Sequence, residues 1–278
     1  MIGVICHDSG GATLVKSFLD FYKLDYIYSA SGPAVKIFGG PGMNIKSCID
    51  SSIWVLTGTS SISRIEMKAV QYSKSQGKFV ATYIDHWNGY LRRFILENRL
   101  VFPDEIWVED IYAYKRALEE GLSAKILIEG NKELISHKNA SYHLQSVESK
   151  LNILFLGEPI RDSGKYLFDN ANHWKTSEEE CFMRFLNYFK GRINYLIIRP
   201  HPKESEEKYI KILRNQKSIE RFSVSNKDFY KDLEKIDLVV GISSKALVKA
   251  YHYGKPVYSA LPKEATYPKL PFEYIKYF

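Results

Sequence analysis

Two polar segments in the second half of the chain have residue types that suit phosphate binding. Residues 199–202 read Arg-Pro-His-Pro, and residues 241–244 read Gly-Ile-Ser-Ser. Each follows an apolar run typical of a buried strand and precedes a stretch with a helical pattern. A serine pair that opens a helix offers two hydroxyls and free backbone N–H groups to an anion. We therefore expect His201, on a neighbouring strand, to join Ser243 and Ser244 in a nucleotide or sugar-phosphate site.

Charged residues near these segments extend the candidate donor site. Two prolines fix the backbone around His201, and Arg199 and Lys203 add positive charge on either side of it. Another loop follows the first apolar run of the second half. In that loop, we expect Glu158 to bind ribose hydroxyls and Arg161 to bind phosphate, and a simple turn is the alternative interpretation.

The loop after the first apolar run of the chain combines proton-transfer side chains with glycines. His7 and Asp8 come directly after that run, and Gly10 and Gly11 follow them. Glycines let a ligand approach the backbone closely, and the start of the next helix favours an anion. The loop is neither a GxGxxG pattern nor a P-loop. We expect Asp8 to act as a general base and His7 to contact substrate. The alternative is a plain turn in which Asp8 or Ser9 caps the helix.

A second candidate base follows the fourth apolar run. Asp85, His86 and Trp87 place an acid, an imidazole and an indole in consecutive positions, which is unusual for packing residues. A carboxylate near an acceptor hydroxyl suits general-base catalysis, and an indole ring suits stacking on a sugar or base. Arg92 and Arg93 are candidates to pair with phosphate. The alternative is a structural Asp–His pair that satisfies loop amides.

The loop at residues 57–61 is rich in hydroxyl groups and follows the third apolar run. Its place on the expected ligand edge of the sheet makes it a candidate to hold acceptor hydroxyls or phosphate. An ordinary helix N-cap at Ser60 or Ser61 explains the same residues equally well.

The composition is that of a globular protein with a moderate basic excess. The 278 residues are 45% hydrophobic and carry a formal charge of +7, without a polybasic tail. This charge suits a phosphorylated substrate and a peripheral contact with an anionic membrane surface, and we expect no nucleic-acid partner. Three widely spaced cysteines without a CxxC pair indicate reduced thiols and no metal site. Without a long apolar segment or signal peptide, we expect a cytoplasmic protein, at most peripheral at the inner membrane face.

Apolar runs alternate with helical patterns along the whole chain, which indicates an α/β protein with parallel sheets. A polar stretch at residues 136–150 is the best candidate linker. It divides the chain into an acceptor-side Rossmann-like domain, residues 1–148, and a donor-binding Rossmann-like domain, residues 149–278. We expect two such domains facing a cleft, with the tail at residues 262–278 as a candidate to cross back onto the first domain.

The His-Pro and Ser-Ser segments, with the Gly-Lys-Pro of residues 254–256, resemble the HP and SS motifs of bacterial GT-B sugar transferases. These include sialyltransferases, polysialyltransferases, Kdo transferases and the glycerophosphotransferases of teichoic acid synthesis. The resemblance covers about residues 150–260. It implies a GT-B-like glycosyltransferase of bacterial surface polysaccharide synthesis with a glycan or lipid-linked acceptor. It also implies that His201 binds the donor phosphate and assists the leaving group, while Ser243 and Ser244 hold that phosphate.

The acidic motif that carries the base in sialyltransferases is missing from the chain. We therefore expect the base at Asp8, with Asp85 as the second choice. The identity of the donor stays open, and we expect a CMP-, UDP- or CDP-linked sugar or phosphoribosyl diphosphate. No acidic metal pair stands out, so no metal is expected, except magnesium with a diphosphate donor.

Three other functions remain open at this point. The first is a phosphoribosyl or polyol-phosphate transferase on the same scaffold. The second is a nucleotide-sugar epimerase or hydrolase of the same two-domain architecture, which needs no acceptor. The third is a non-catalytic protein that binds sugar nucleotides or assists polysaccharide assembly.

Overall fold

The computed structural model describes residues 1–60, 63–136, 150–215, 219 and 221–278. The chain divides into two compact units, Met1–Ser136 (unit 1) and His137–Phe278 (unit 2). The predicted domain boundary between residues 148 and 149 lies outside the described residues, as does nearly all of the predicted linker. Each unit is an α/β structure with its own parallel sheet.

Strands and helices alternate in unit 1, as the sequence pattern predicts. The elements are, in chain order, β1 (Ile2–Cys6), α1 (Ser9–Tyr22), β2 (Tyr26–Ala30), α2 (Ala34–Phe38), α3 (Ile45–Asp50), β3 (Trp54–Thr57), α4 (Ile65–Ser75), β4 (Val80–Tyr83), a 3-10 helix (Leu91–Phe94), β5 (Ile95–Leu96), β6 (Arg99–Leu100), β7 (Glu105–Val108), α5 (Ile111–Glu119), β8 (Lys125–Ile128) and α6 (Lys132–Ser136).

In the described part of unit 1, six strands form a parallel sheet in the order β2-β1-β3-β4-β7-β8, and β5 and β6 form a separate antiparallel hairpin. All five residues of β1 are buried, which is typical of a strand with helices on both faces. Helix α1 turns an apolar stripe toward this sheet through Leu14, Val15, Phe18 and Leu19. Their spacing is that of one helix face, so the sequence predicts α1 well.

Unit 2 repeats the alternation with a different strand order. Its elements are β9 (Leu151–Leu156), α7 (Ile160–Phe168), α8 (Glu178–Tyr188), β10 (Ile193–Arg199), α9 (Glu207–Arg214), β11 (Phe222–Val224), α10 (Phe229–Leu233), β12 (Leu238–Gly241), α11 (Lys245–His252), β13 (Val257–Ser259) and β14 (Lys276–Tyr277).

The sheet of unit 2 runs β11-β10-β9-β12-β13-β14 in its described residues, and all of its strand pairs are parallel. This is the strand order of dinucleotide-binding domains, with the first strand in the middle. Aromatic rings fill the core between β9 and its helices. The ring centroid of Phe155 on β9 lies 4.7 Å from that of Phe182 and 5.2 Å from that of Phe185, and both of these residues are on α8.

The structure corrects three sequence-based expectations. Helix α4 begins at Ile65 rather than near residue 61, so Ser60 is not its N-cap, and Ser61 lies outside the described residues. The strand that precedes His201 is not a neighbour of β12, because β9 lies between them. The tail adds β14 to the sheet of unit 2, since its apolar and aromatic side chains pack against that core.

No helix in the described ranges has both the length and the apolar character needed to cross a membrane.

The aromatic core of unit 2 gives a direct test of the packing. Phe155 is fully buried, so Phe155→Ala leaves a cavity among rings that cannot close over it. We expect the free energy of unfolding to fall by about 3–5 kcal/mol, measured by urea denaturation. Phe222→Ala, at a site that is 36% exposed on edge strand β11, is the matched control. It should cost roughly 1 kcal/mol or less, and equal losses for the two variants would contradict this core.

Candidate functional site

The strand order of unit 1 reverses between β1 and β3, and open parallel sheets bind ligands outside the carboxyl ends of the strands at such a point. Three loops meet there. A Cβ on Gly11 would lie 3.0 Å from the Thr59 nitrogen and 3.1 Å from the Gly58 Cα. A Cβ on Gly10 would lie 1.8 Å from Asp85 Oδ2. The glycines after β1 thus allow the loops after β3 and β4 to pack against them, which leaves them less free to serve a ligand.

His7 and Asp8 form the more accessible pair of this edge. The Nδ1 atom of His7 lies 2.7 Å from Asp8 Oδ1, and the two side chains are 23% and 29% exposed. Asp8 occupies the N-cap position of α1, but its side chain makes no capping bond. The alternative interpretation is thus correct for the position of Asp8 at the start of α1, but its carboxylate binds the imidazole and makes no capping bond. A carboxylate that orients an imidazole is the arrangement used for proton transfer.

Asp85, the second candidate base, is more enclosed. Its Oδ1 lies 2.9 Å from Arg93 Nη1, and the side chains are only 15% and 8% exposed. The same guanidinium nitrogen of Arg93 donates to Thr59 Oγ1 at 3.1 Å. Arg93, which the sequence offers as a phosphate ligand, is thus engaged in a buried ion pair that joins the loops after β3 and β4. Of the two carboxylates, Asp8 has more surface available to a substrate.

The aromatic and basic neighbours of Asp85 face the protein. Trp87 is 7% exposed, and its indole N–H donates to Asp110 Oδ2 at 2.8 Å. It therefore presents little ring surface for stacking on a ligand. The carbonyl of His86 accepts a hydrogen bond from the Tyr90 hydroxyl. The carbonyl of Arg92 accepts one from the side chain of Arg64, the N-cap residue of α4. The side chains of His86 and Arg92 are half-buried.

Sequence analysis missed Glu66, which lies in the first turn of α4 and is 1% exposed. Its Oε1 accepts the main-chain N–H of His7 at 2.8 Å, and Oε2 has no hydrogen-bond partner in the described residues. Burial raises the pKa of Glu66 to about 7, although hydrogen bonds from its own N–H and from that of His7 oppose this shift. The available signal was its place on the buried face of α4 with Met67, Ala69 and Val70.

In unit 2 the strand order reverses between β9 and β12. Gly157, directly after β9, leaves no room for a side chain. A Cβ there would lie 2.4 Å from Glu204 Oε2, 2.6 Å from the Tyr209 hydroxyl and 3.1 Å from the Pro200 Cα. The loop after β9 therefore packs directly against the His-Pro loop after β10. The Ser-Ser loop after β12 lies on its other side.

Glu158 is the central residue of this edge. Its Oε2 accepts the main-chain N–H of Ser243 at 2.8 Å, and its Oε1 accepts the hydroxyl of Tyr267 at 3.0 Å. Burial raises the pKa of Glu158 to about 7, and the Ser243 and Tyr267 bonds oppose this while the nearby Glu204 charge adds to it. Both oxygens thus have partners within unit 2. Ribose binding by Glu158 stays a prediction, and a ribose hydroxyl would compete with these two bonds.

The two serines have different roles. Ser243 donates its N–H to Glu158 and its hydroxyl to the carbonyl of Pro268. Ser244 is the N-cap of α11, and its Oγ accepts the N–H of Ala246 at 3.2 Å. In the described contacts that Oγ only accepts, so its hydrogen is available to a ligand. The geometry therefore favours Ser244 over Ser243 as the hydroxyl donor to an anion at this helix start.

His201 is held through its main-chain N–H and its ring Nδ1, so Nε2 is the ring nitrogen that is left for a ligand. Its N–H donates to Glu204 Oε2 at 2.7 Å, and its Nδ1 accepts the N–H of Lys203 at 3.2 Å. Burial lowers the pKa of His201, and the charges of Lys203 and Lys208 lower it further. A neutral ring whose Nδ1 accepts must carry its proton on Nε2. His201 is therefore poised to donate from Nε2 to a phosphate oxygen.

The remaining basic candidates lie at different points of unit 2. Arg199 is bound to α10 and to the segment before it, with Nη1 3.0 Å from Asp232 Oδ2 and 2.6 Å from the Lys227 carbonyl. Lys203 and Arg161 are exposed. The main-chain N–H of Arg161 donates to the carboxylate of Glu178, a buried residue at the start of α8. Two of the three cations are thus available to a ligand, and Arg199 is engaged in an ion pair.

Within the described ranges, no cluster of three or more histidine, cysteine or acidic residues has an arrangement that could hold a metal ion.

No protein-family model matches this sequence, and no curated protein matches it either. The motif resemblance to sialyltransferases, Kdo transferases and glycerophosphotransferases therefore has no support at the level of sequence families.

Two solved structures resemble the chain in fold. One is a candidate UDP-N-acetylglucosamine 2-epimerase from Listeria monocytogenes, with 16% identity over 92% of this chain and 78% of that chain, at a TM-score of 0.55. The other is S. aureus MnaA in complex with UDP, with 16% identity over 93% of this chain and 78% of that chain, at a TM-score of 0.59. These proteins have a GT-B-like fold, so the predicted α/β, GT-B-like fold class is confirmed.

Glu66 makes the stability of the protein depend on pH. Its folded-state pKa of about 7 lies above the usual value of 4.5, so protonation favours the folded state. The stability that this preference provides is complete below about pH 4.5 and is lost as the pH rises through 7. Relative to Glu66→Gln, we expect the wild-type free energy of unfolding to fall by about 3 kcal/mol across this range, measured by urea denaturation at several pH values. The same pH profile for both proteins would contradict this, and Glu119→Gln, at a site that is 65% exposed, is the control.

Gly10 tests the contact between the loops after β1 and β4. Gly10→Ala places a methyl group on the Asp85 carboxylate and forces it away from Arg93. Because a displaced buried ion pair and an overpacked contact both destabilise, we expect a loss of about 1–3 kcal/mol in thermal or urea unfolding. Gly40→Ala is the matched control, since a Cβ there meets only the Tyr28 hydroxyl at 3.7 Å. A Gly10→Ala variant as stable as Gly40→Ala would show that these loops do not pack as described.

Proposed function

We propose that the chain is an enzyme that acts on a nucleotide sugar and changes the sugar without an acceptor, as an epimerase or hydrolase. The observation that supports the proposal is the set of hydrogen-bond donors at one edge of unit 2: the Nε2–H of His201, the hydroxyl of Ser244 and the N–H groups at the start of α11. Such donors suit a phosphate. The dinucleotide-binding strand order of this unit supports the same ligand class.

The fold comparison favours reactions without an acceptor. Both similar structures carry names that connect them with UDP or with UDP-N-acetylglucosamine 2-epimerases, and one of them contains UDP. UDP is therefore the first nucleotide to test on this chain. Inversion of a sugar carbon needs a base that removes its proton and an acid that returns one. We propose His7 and Asp8 as the residues for that chemistry, because the carboxylate contacts the imidazole at 2.7 Å and the two side chains are 23% and 29% exposed.

In unit 2, the donors at His201 and Ser244 supply what a departing nucleotide phosphate needs. In hydrolysis, water takes the place of the phosphate on the sugar carbon. Negative charge grows on the phosphate as its bond to the sugar breaks, and positioned N–H and O–H donors stabilise that charge. Because the folded protein already holds His201 and Ser244 in place, little reorganisation is required during the reaction. Lys203 and Arg161 are candidates to add charge at the same edge.

A glycosyltransferase is the second candidate, and the His-Pro and Ser-Ser motif pair favours it. Its acceptor would be a glycan or a lipid-linked glycan, and its donor a CMP-, UDP- or CDP-linked sugar. The phosphate-binding residues would be the same in either reaction. Only the fate of the sugar separates the two candidates.

The deciding experiment incubates the protein with UDP-N-acetylglucosamine and with CMP- and CDP-linked donors, without acceptor, and follows the products by NMR. A new epimer, or free sugar with released nucleotide, would support the proposal. A donor that stays intact until a glycan acceptor is added would support the transferase instead.

Variants of the phosphate-binding donors test the assignment of the site. We expect His201→Ala and Ser244→Ala each to lower kcat/KM by about 100-fold or more, because each removes one donor to the leaving phosphate. Ser75→Ala, in which an exposed hydroxyl on α4 is lost, is the matched control and should retain wild-type activity. Full activity in both site variants would refute the assignment.

A further inference from the structure

The C-terminal segment of unit 2 contacts the phosphate-binding edge at two points. The hydroxyl of Tyr267 donates to Glu158 Oε1 at 3.0 Å, and the carbonyl of Pro268 accepts the hydroxyl of Ser243. Glu158 in turn accepts the N–H of Ser243 at 2.8 Å. Ser243 is therefore bound to the C-terminal segment in two ways, directly through Pro268 and indirectly through Glu158 and Tyr267.

This segment is itself firmly held. The ring of Tyr267 packs edge-on against Trp174 at 5.2 Å between centroids. Next to it, Thr266 donates its N–H to the Trp174 carbonyl at 3.1 Å and its hydroxyl to the His173 carbonyl at 3.1 Å. Further along, β14 joins the sheet beside β13. These contacts hold Tyr267 in place, so that its hydroxyl is positioned to donate to Glu158.

We propose that Tyr267 is a positioning residue for the nucleotide site: through Glu158 it fixes the main chain of Ser243, and thereby the Ser243–Ser244 loop that binds the phosphate. The inference rests on the proposed function for the identity of the ligand. It assigns no contact between Tyr267 and the ligand. The hydroxyl of Ser244 is correctly placed only while the preceding residue is held.

The strength of this support depends on the charge of Glu158. An ionised carboxylate accepts hydrogen bonds roughly twice as strongly as a neutral group. Removal of the Tyr267 hydroxyl takes away a bond that favours the ionised form, so the pKa of Glu158 rises. Without that hydroxyl, Glu158 becomes ionised, and so binds the N–H of Ser243 strongly, only at higher pH.

Other groups around Glu158 do not explain such a change. Burial and neighbouring charge raise the pKa of Cys181 to about 12, and the pKa values of Tyr267 and Tyr277 are raised from 10, so none of these ionises near pH 7. The carboxylate of Glu204 is paired with Lys208 at 2.5 Å. His201 also titrates at this edge, but it belongs to the loop after β10, and every variant compared below retains it.

The experiment measures the affinity of UDP for wild type and Tyr267→Phe by calorimetry between pH 6 and 8.5. A rise of one unit in the pKa of Glu158 lowers its ionised fraction at pH 7 from about one half to about one tenth. We therefore expect UDP binding about fivefold weaker in Tyr267→Phe at pH 7, and nearly equal to wild type at pH 8.5.

Two control variants isolate the route through Glu158. Tyr277→Phe makes the same chemical change in the same segment, at a hydroxyl that donates to the Leu270 carbonyl, and should leave the affinity unchanged. In a Glu158→Gln background, Tyr267→Phe should cause no further pH-dependent loss, because the titrating group is absent.

A second readout does not need a ligand. Amide hydrogen exchange should show faster exchange at Ser243 in Tyr267→Phe at pH 7, with unchanged protection in α4 of unit 1. Unchanged exchange and unchanged affinity would overturn the proposal, as would an affinity loss of equal size at pH 7 and pH 8.5. If wild type binds no UDP but the exchange result holds, the positioning role stands and the proposed nucleotide ligand fails.

Discussion

In three of the candidate loops, the carboxylate of a buried or half-buried glutamate accepts the main-chain N–H of one residue. Glu66 holds His7 at 2.8 Å, Glu158 holds Ser243 at 2.8 Å, and Glu204 holds His201 at 2.7 Å. A buried carboxylate is costly unless it receives strong hydrogen bonds, and backbone N–H groups provide them. The loops are thereby fixed through their backbones, so that the imidazole of His201 and the hydroxyl of Ser244 stay available for ligands.

Parallel strands explain why these loops meet at all. Every strand of each six-stranded sheet points the same way, so all loops that follow strands emerge at one edge. Where the strand order reverses, adjacent loops run to opposite faces of the sheet and leave a crevice. Gly10 and Gly157 show how closely the loops pack there, because neither position has room for a Cβ.

The sequence predicts the alternation of elements well, because buried parallel strands are continuous apolar runs and helices have a regular apolar face. It also predicts which loops lie at the carboxyl edge of each sheet. It does not predict the bonds that hold them, since Glu66 and His7 are 59 residues apart and Glu158 and Ser243 are 85 residues apart. Such pairs depend on how a helix or loop packs against another strand's loop, which local patterns do not encode.

Other differences have equally specific causes. Arg93 has the composition of a phosphate ligand, but a 3-10 turn brings it back onto Asp85. Trp87 could serve for stacking, but the carboxylate of Asp110 draws its N–H into the protein. In both cases an acidic residue of the fold already binds the side chain. The tail at residues 262–278 joins unit 2 because β13 offers it an open edge.

The contact between Tyr267 and Glu158 also has a consequence for biosynthesis. The two residues are 109 positions apart, so the ribosome completes Glu158 long before it adds Tyr267. At about 5–20 residues per second, the delay is roughly 5–20 s. During that interval β9, its loop and the serine loop after β12 can be made while the hydroxyl that steadies them does not yet exist. A nascent chain of this protein therefore completes the support of Glu158 only after Tyr267 has been added, well after the loop that Tyr267 steadies has been made.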